Sequence, residues 1–391
     1  MTDYSQTLQN ICENNSRINT DAVKNVLLVY EEKRFFIGDT CIIFDNLKYI
    51  RSFFKHAALH FNFLHSHHLG MYEALLQNNP HFEKIGSSNW EEIPFETYDL
   101  VICVTYEEQA LLAFLHTRYG DAFAAKQLDL AVVSFSESIL AKVENSTFVF
   151  PEYPALFTYC NNKTLPCELY ITPAERQWGD AWLEQKGITT GDALFIIPDS
   201  STNRGKVLNI NVYFTLLSYI LQQPNTRVLI FDERNMGKKA FYSEWLSAAE
   251  MEKIIFSEAL AFREDLCILS SRYVRVILGP CTGLMHCASG AYNRFVQNGM
   301  SEKEVPLMIV YTSTYGGSIK NANYWWGNAP YIHCIILKKR NFNKVLLLLH
   351  DMPMEERNLN DELGCSEYTA EMLISFLRGK WHPAIAATAA T

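Results

Sequence analysis

No run of apolar residues in the chain approaches the ~18 that a membrane-spanning helix needs; "VLLLLH", at 345 to 350, is far too short. The first residues, "MTDYSQTLQNICENNSRINTD", are polar and lack an apolar core, so no secretion signal is expected. Positive charge is in deficit, with 34 Lys and Arg against 43 Asp and Glu and a net charge of −9. That balance argues against a nucleic-acid partner, and an anionic ligand would need a local set of donors. The ten cysteines show no framework spacing. Several, Cys103, Cys267 and Cys334 among them, sit in apolar segments expected to be strands, which reads as reduced core thiols in the cytoplasm. Cys281, His286 and Cys287 suggest zinc, but no second pair completes a tetrahedral set, so no metal is expected. No internal repeat is found. The first strand is followed by "EEKRFFIGDT" and not by Gly-x-Gly-x-x-Gly, which weighs against a dinucleotide-dependent oxidoreductase.

What remains is a βα rhythm, run twice. "VKNVLLVY", "HFNFLH", "YDLVICVT" and "LDLAVVSF" read as buried strands, with a long helix over "IGDTCIIFDNLKYIRSFFKH" and another through "EEQALLAFLHTRYG". A proline-rich stretch near 150 to 175 breaks the rhythm. It resumes at "DALFIIPDSS" with a helix "NVYFTLLSYILQQ" and strands "TRVLIFDE", "DLCILS", "YVRVILG" and "VPLMIVYTS". Alternation of this kind implies parallel sheets. The chain of 391 residues is too long for one core. The expectation is α/β, with two Rossmann-like doubly wound domains, 1–168 and 169–365. Residues 366–391 then form a terminal helix, packing back on the first domain, and a tail.

Ligands of open α/β sheets sit beyond the carboxyl ends of the strands, so binding chemistry is expected at the strand ends. In "GPCTGLMHCASG", 279 to 290, a helix opens directly after a strand. Its first N–H groups and positive dipole end suit a phosphate. Thr282 adds a hydroxyl at the N-cap, and Gly283 lets a ligand approach the backbone. A second strand end, "FIIPDSSTNRGK", holds Ser200, Ser201, Thr202, Arg204 and Lys206, a set that fits a diphosphate. A third, "LIFDERN", places Asp232 and Glu233 where a carboxylate would meet a ribose diol. In the first half, Gly38 permits a tight turn and Asp39 stands at a helix entrance, as N-cap or as general base. Lys48, Arg51 and Lys55 make a basic stripe, a solvated face or one that meets an anionic acceptor or a membrane surface. His67 and His68 suit an acceptor-side loop.

The order of "IGDT", "NNPHFEKI", "YDLVICVT", "NRGK" and "GPCTGLMHCASG" resembles that in the family 9 glycosyltransferases, the heptosyltransferase-like enzymes of lipopolysaccharide synthesis. The resemblance spans roughly residues 24 to 378. It implies a GT-B fold, its two domains facing across a cleft. It also implies an inverting, metal-independent sugar transfer from a nucleotide-diphosphate sugar to a glycan or glycolipid hydroxyl, with no cofactor beyond that co-substrate. In such enzymes the aspartate of the Gly-Asp turn is the base, which falls on Asp39, and the loop lysine contacts donor phosphates, which falls on Lys206. The Thr-Gly-x-x-His turn cradles the diphosphate, which falls on Thr282, Gly283, Leu284 and His286. The residue contacting the ribose falls on Glu233. Position 281 departs from the pattern: the family's aspartate is Cys281 here. A neutral thiol cannot accept two strong hydrogen bonds from sugar hydroxyls, which argues against ADP-heptose as donor. Two rivals follow, a catalytically silent nucleotide-sugar-binding protein and an NAD-dependent oxidoreductase. The oligomeric state is not legible.

Overall fold

The computed structural model describes residues 4–31, 36–45, 47–64, 68–140, 147–161, 167–201, 203–232, 235–312, 331–357 and 361–381. The chain divides into two compact units, one of residues 1–36 and 43–164, the other of 37–42 and 165–391.

The first unit is built on a five-stranded parallel sheet in the order β3-β2-β1-β4-β5. Its strands are β1 (Asn25–Tyr30), β2 (Ala58–Phe63), β3 (Lys84–Gly86), β4 (Leu100–Val104) and β5 (Ala131–Ser134). All five residues of β4 are buried, as expected of a central parallel strand covered on both faces. Helix α1 (Ser5–Asn15) packs on α5 (Glu108–Ala124) and on β5. Between these, α2 (Ile37–Asp45), α3 (Leu47–Phe53) and α4 (Leu69–Leu76) follow the first two strands, so the single helix expected from 37 to 56 is two. Arg51, in the last turn of α3, donates to the carbonyls of Phe54 and Ala57. Lys48 is 8% exposed, its ammonium 5.4 Å from the centroid of the Tyr49 ring. Of the three cations Lys55 is exposed and Lys48 is not, so the stripe is solvated only in part. One cation is buried and another satisfies the carbonyls left over at a helix end.

The second unit carries seven strands in the order β12-β11-β10-β9-β6-β7-β8, all parallel except the β11–β12 hairpin. They are β6 (Ala193–Ile196), β7 (Thr226–Phe231), β8 (Ile254–Ser257), β9 (Val274–Pro280), β10 (Leu307–Thr312), β11 (Ile332–Arg340) and β12 (Asn343–Leu348). Outward from β6 the order reads first, second and third strand on one side and fourth onward on the other, the doubly wound arrangement. Entry to the unit is well signalled. Thr172 accepts from the Glu175 N–H, Glu175 reaches back to the Thr172 N–H, and Pro173 opens α6 (Pro173–Gln185). Helix α7 (Ile210–Leu221) buries Phe214, Leu217 and Leu221 against the sheet. Helices α8 (Lys238–Ser243), α9 (Phe262–Leu269), α10 (Gly283–Gln297) and α11 (Ala370–Lys380) complete the layers.

One expectation is corrected. "DLCILS" is helix, within α9, so Cys267 is helical: Glu264 binds the Ala261 N–H and fixes a helix start before the apolar run. The strand of that region is β8, which ends at Ser257 ahead of the helix. The terminal helix α11 packs within the second unit. Leu373 and Leu377, one turn apart, fill the second core, and Arg378 bonds the Tyr219 hydroxyl of α7.

Candidate functional site

The loops after β6 and β9 meet. These strands are neighbours, and their onward connections run to opposite sides of the sheet, which is the point where open α/β sheets bind ligands. The bond that joins the loops is from Lys206 Nζ to the Cys281 carbonyl oxygen, 2.9 Å. Lys206 ends a short turn, Arg204–Lys206, held by Asn203, whose side chain accepts the Gly205 N–H. Ser201 Oγ accepts the Asn203 N–H, while Ser200 and Arg204 are exposed. Thr202 lies outside the described residues.

On the other loop, Thr282 is the N-cap of α10, as expected, in extended backbone. Its hydroxyl makes no capping bond. Thr282 Oγ1 is buried with no hydrogen-bond partner among the described residues, an unfavourable state for a polar atom unless something else supplies a partner. Leu284 is buried and apolar. Cys281 is 4% exposed, and its Sγ lies 4.0 Å from His286 Nε2. Burial, assisted by the Lys206 charge, pushes the His286 pKa down to about 3, so the imidazole is neutral across the physiological range. The cationic character of the site rests on Lys206, Arg204 and the α10 dipole, not on His286.

Gly283 carries a packing constraint of its own. A Cβ there would lie 2.5 Å from Ile37 Cβ and 3.0 Å from the Gly38 nitrogen. Gly38 has the matching constraint, its Cβ position being 3.0 Å from His286 Cδ2. The two glycines let the first turn of α2 lie directly on the first turn of α10. Ile37 lies against the Gly283 α-carbon. Asp39 follows Gly38 inside α2, as the third helical residue and not the N-cap. Its backbone is thus one residue from the Thr-Gly turn; its side chain lies outside the described residues. Beneath the contact, Cys41 Sγ and Cys287 Sγ are 3.6 Å apart, and all ten cysteines are free thiols.

Asp232 is committed to structure. Its two oxygens accept the N–H groups of Met236 and Lys238, at 3.0 and 3.2 Å, closing the loop after β7. Glu233 and His67 lie outside the described residues. His68 is exposed at the start of α4, in the first unit. Sequence reasoning missed the residue that ties the β6 and β7 ends together. Asp199 accepts from Lys238 Nζ at 2.6 Å and from the Tyr242 hydroxyl at 2.7 Å, and Tyr242 shares a 2.6 Å bond with Tyr213. Lys238 Nζ also donates to the Phe231 carbonyl. Asp199 directly precedes Ser200, so this network anchors the root of the loop carrying Lys206. The one signal available was a carboxylate at a strand end beside two hydroxyls.

No protein-family model matches the sequence, and no curated protein matches it. In three dimensions the chain is similar to the family 9 glycosyltransferase of Veillonella parvula DSM 2008. There the TM-score is 0.56 at 10% identity, over 93% of this chain and 98% of that one. It is also similar to the ADP-heptose lps heptosyltransferase II of E. coli. That TM-score is 0.54 at 11% identity, over 91% of this chain and 99% of that one. The fold is α/β with two Rossmann-like units, shared along nearly the whole length with these glycosyltransferases.

Proposed function

We propose that the chain is a glycosyltransferase of the family 9 type, moving a sugar from a nucleotide-diphosphate sugar to a hydroxyl of a glycan or glycolipid precursor. The observation that carries this reading is the meeting of Lys206 with the Cys281–Gly283 turn at the diverging strand ends. A cation, a helix N-terminus and an orphaned hydroxyl there form a receptor for a diphosphate.

In the proposed reaction Asp39 takes the proton of the acceptor hydroxyl as its oxygen attacks the anomeric carbon. The bond from that carbon to the diphosphate breaks, with inversion. Lys206, Arg204 and the N–H groups of Thr282 to Leu284 hold the charge that develops on the leaving group. Donors fixed in advance are worth roughly 3 kcal/mol each in such a role, so transfer needs no metal on this account. Neutral His286 contributes a hydrogen-bonding ring without adding charge. Cys281, buried against His286, leaves no carboxylate for sugar hydroxyls, which favours a donor other than a heptose. It also favours, as a second reading, a silent nucleotide-sugar binder. A lipid-linked acceptor would bring the protein to the cytoplasmic face of a membrane. No described helix is long and apolar enough to cross one.

The test is turnover with a panel of nucleotide sugars by the wild type, Asp39→Asn and Lys206→Met. Each variant is expected to lose at least about a hundredfold in rate with an unchanged circular dichroism spectrum. Donor binding without transfer by the wild type would select the silent reading, and full activity in both variants would end the proposal.

A further inference from the structure

Asp199 opens the loop that carries Lys206, and one side chain joins it to the helix that closes the same loop. Tyr242, in α8, donates its hydroxyl to Asp199 Oδ2 at 2.7 Å and shares a 2.6 Å bond with the hydroxyl of Tyr213. Tyr213 stands at the start of α7, whose N-cap, Asn209, follows closely on Lys206. Both tyrosines are buried, and both rings pack on Phe214. The chain of bonds therefore runs through the core of the unit.

Two further contacts hold the segment. Lys238 Nζ reaches Asp199 Oδ1 from the first residue of α8, and the Lys238 N–H is in turn bound by Asp232. On the other side Pro198 lies against β9, where a Cβ on Gly279 would stand 3.1 Å from the Pro198 carbonyl oxygen. The loop's entry is thus gripped between β9 and α8, its exit is tied to α8 through Tyr213, and Lys206 itself meets the Cys281 carbonyl. A buried ion pair with a hydroxyl chain returns little stability beyond that of apolar side chains of the same size. What it supplies is fixed geometry, and a cation that must meet a diphosphate gains from being fixed in advance.

We propose that Tyr242 is a positioning residue for the donor. By joining Asp199 to Tyr213 it holds the loop at both ends and sets Lys206 Nζ where the leaving diphosphate binds. This rests on the glycosyltransferase reading of the site and extends it to α8, a helix that lends no group to the phosphate receptor described above.

Calorimetric titration with ADP, UDP and GDP of the wild type, Tyr242→Phe, Lys206→Met and the double variant tests this. Phenylalanine keeps the ring beside Phe214 and Phe256 and removes only the hydroxyl. Tyr242→Phe is expected to lower the affinity for whichever nucleoside diphosphate binds the wild type by about fivefold or more. Where Lys206 is already absent it is expected to lower affinity hardly at all, because the hydroxyl acts through that lysine. Tyr213→Phe leaves the Asp199 bond in place and opens the chain at its other end. A smaller loss is expected there, with the same dependence on Lys206. A fall of equal size with and without Lys206 would mark a general loosening of the fold and overturn the proposal, as would unchanged affinity in both tyrosine variants. A wild type that binds none of the three nucleotides would overturn the donor reading and this inference with it.

Discussion

Ile37 and Gly283 are in contact so close that a methyl group on Gly283 would lie 2.5 Å from Ile37 Cβ. The pair is 246 positions apart in the chain, and it seats the helix start bearing Gly38 and Asp39 on the Thr-Gly turn. Gly283→Ala is expected to destabilise the fold by roughly 1–3 kcal/mol, the range for overpacking a tight site. Ile37→Ala removes the obstructing branches, so the double variant is expected to recover much of that loss. Denaturant titration of the four proteins measures the coupling. Strictly additive effects would show that the two residues do not meet.

His286 makes stability pH-dependent with a fixed sign. Its folded pKa is lowered to about 3 by burial and by Lys206, against about 6.5 when unfolded. Between those values the unfolded chain binds a proton that the folded chain does not. Stability is therefore full above about pH 6.5, falls as pH drops toward 3, and levels off below, by on the order of 5 kcal/mol. His333, lowered to about 4 mainly by burial, adds a slope of the same sign. Urea midpoints measured from pH 7 down to pH 4 are expected to decline less steeply in His286→Phe than in the wild type. An identical slope in both would place the ring in solvent.

Much of this fold is legible in the sequence, because buried parallel strands are short apolar runs bounded by turns. The strand-to-helix passages at Gly38–Asp39, Ser200–Lys206 and Cys281–His286 announce themselves as strand ends with small, hydroxylic or cationic residues. What escapes is of two kinds. Short apolar runs do not declare their period, so "DLCILS" reads as strand until the Glu264 bond to the Ala261 N–H decides otherwise. Long-range pairings leave no local trace. Nothing around Lys238 foretells Asp199, thirty-nine residues earlier, and nothing around Gly283 foretells Ile37. At Asp232 the oxygens serve the backbone of its own loop, a local role that the carboxylate at a strand end does not distinguish from a ligand contact. Lys48, read as part of a basic face, is buried beside Tyr49.

The Asp199–Lys238 pair is mostly buried, with side chains 15% and 10% exposed. Lys238→Met leaves the Asp199 carboxylate with the Tyr242 hydroxyl alone among the described residues, and is expected to cost about 3 kcal/mol or more of stability. Asp199→Asn combined with Lys238→Met removes the stranded charge and is expected to cost less than the sum of the single changes. Thermal unfolding of the three variants checks this, and a single Lys238→Met within error of the wild type would contradict it.

The central claim is that Lys206 and the Thr282–Gly283 turn hold a diphosphate. Calorimetric titration with ADP, UDP and GDP, using the wild type, Lys206→Met and Thr282→Val, tests it most directly. At least one nucleoside diphosphate is expected to bind the wild type. Affinity is expected to fall about tenfold or more in Lys206→Met and by a smaller factor in Thr282→Val, consistent with a charge-assisted bond lost in one case and a hydroxyl in the other. Equal binding by all three proteins, or binding of NAD(H) with no nucleoside diphosphate bound, would contradict the account.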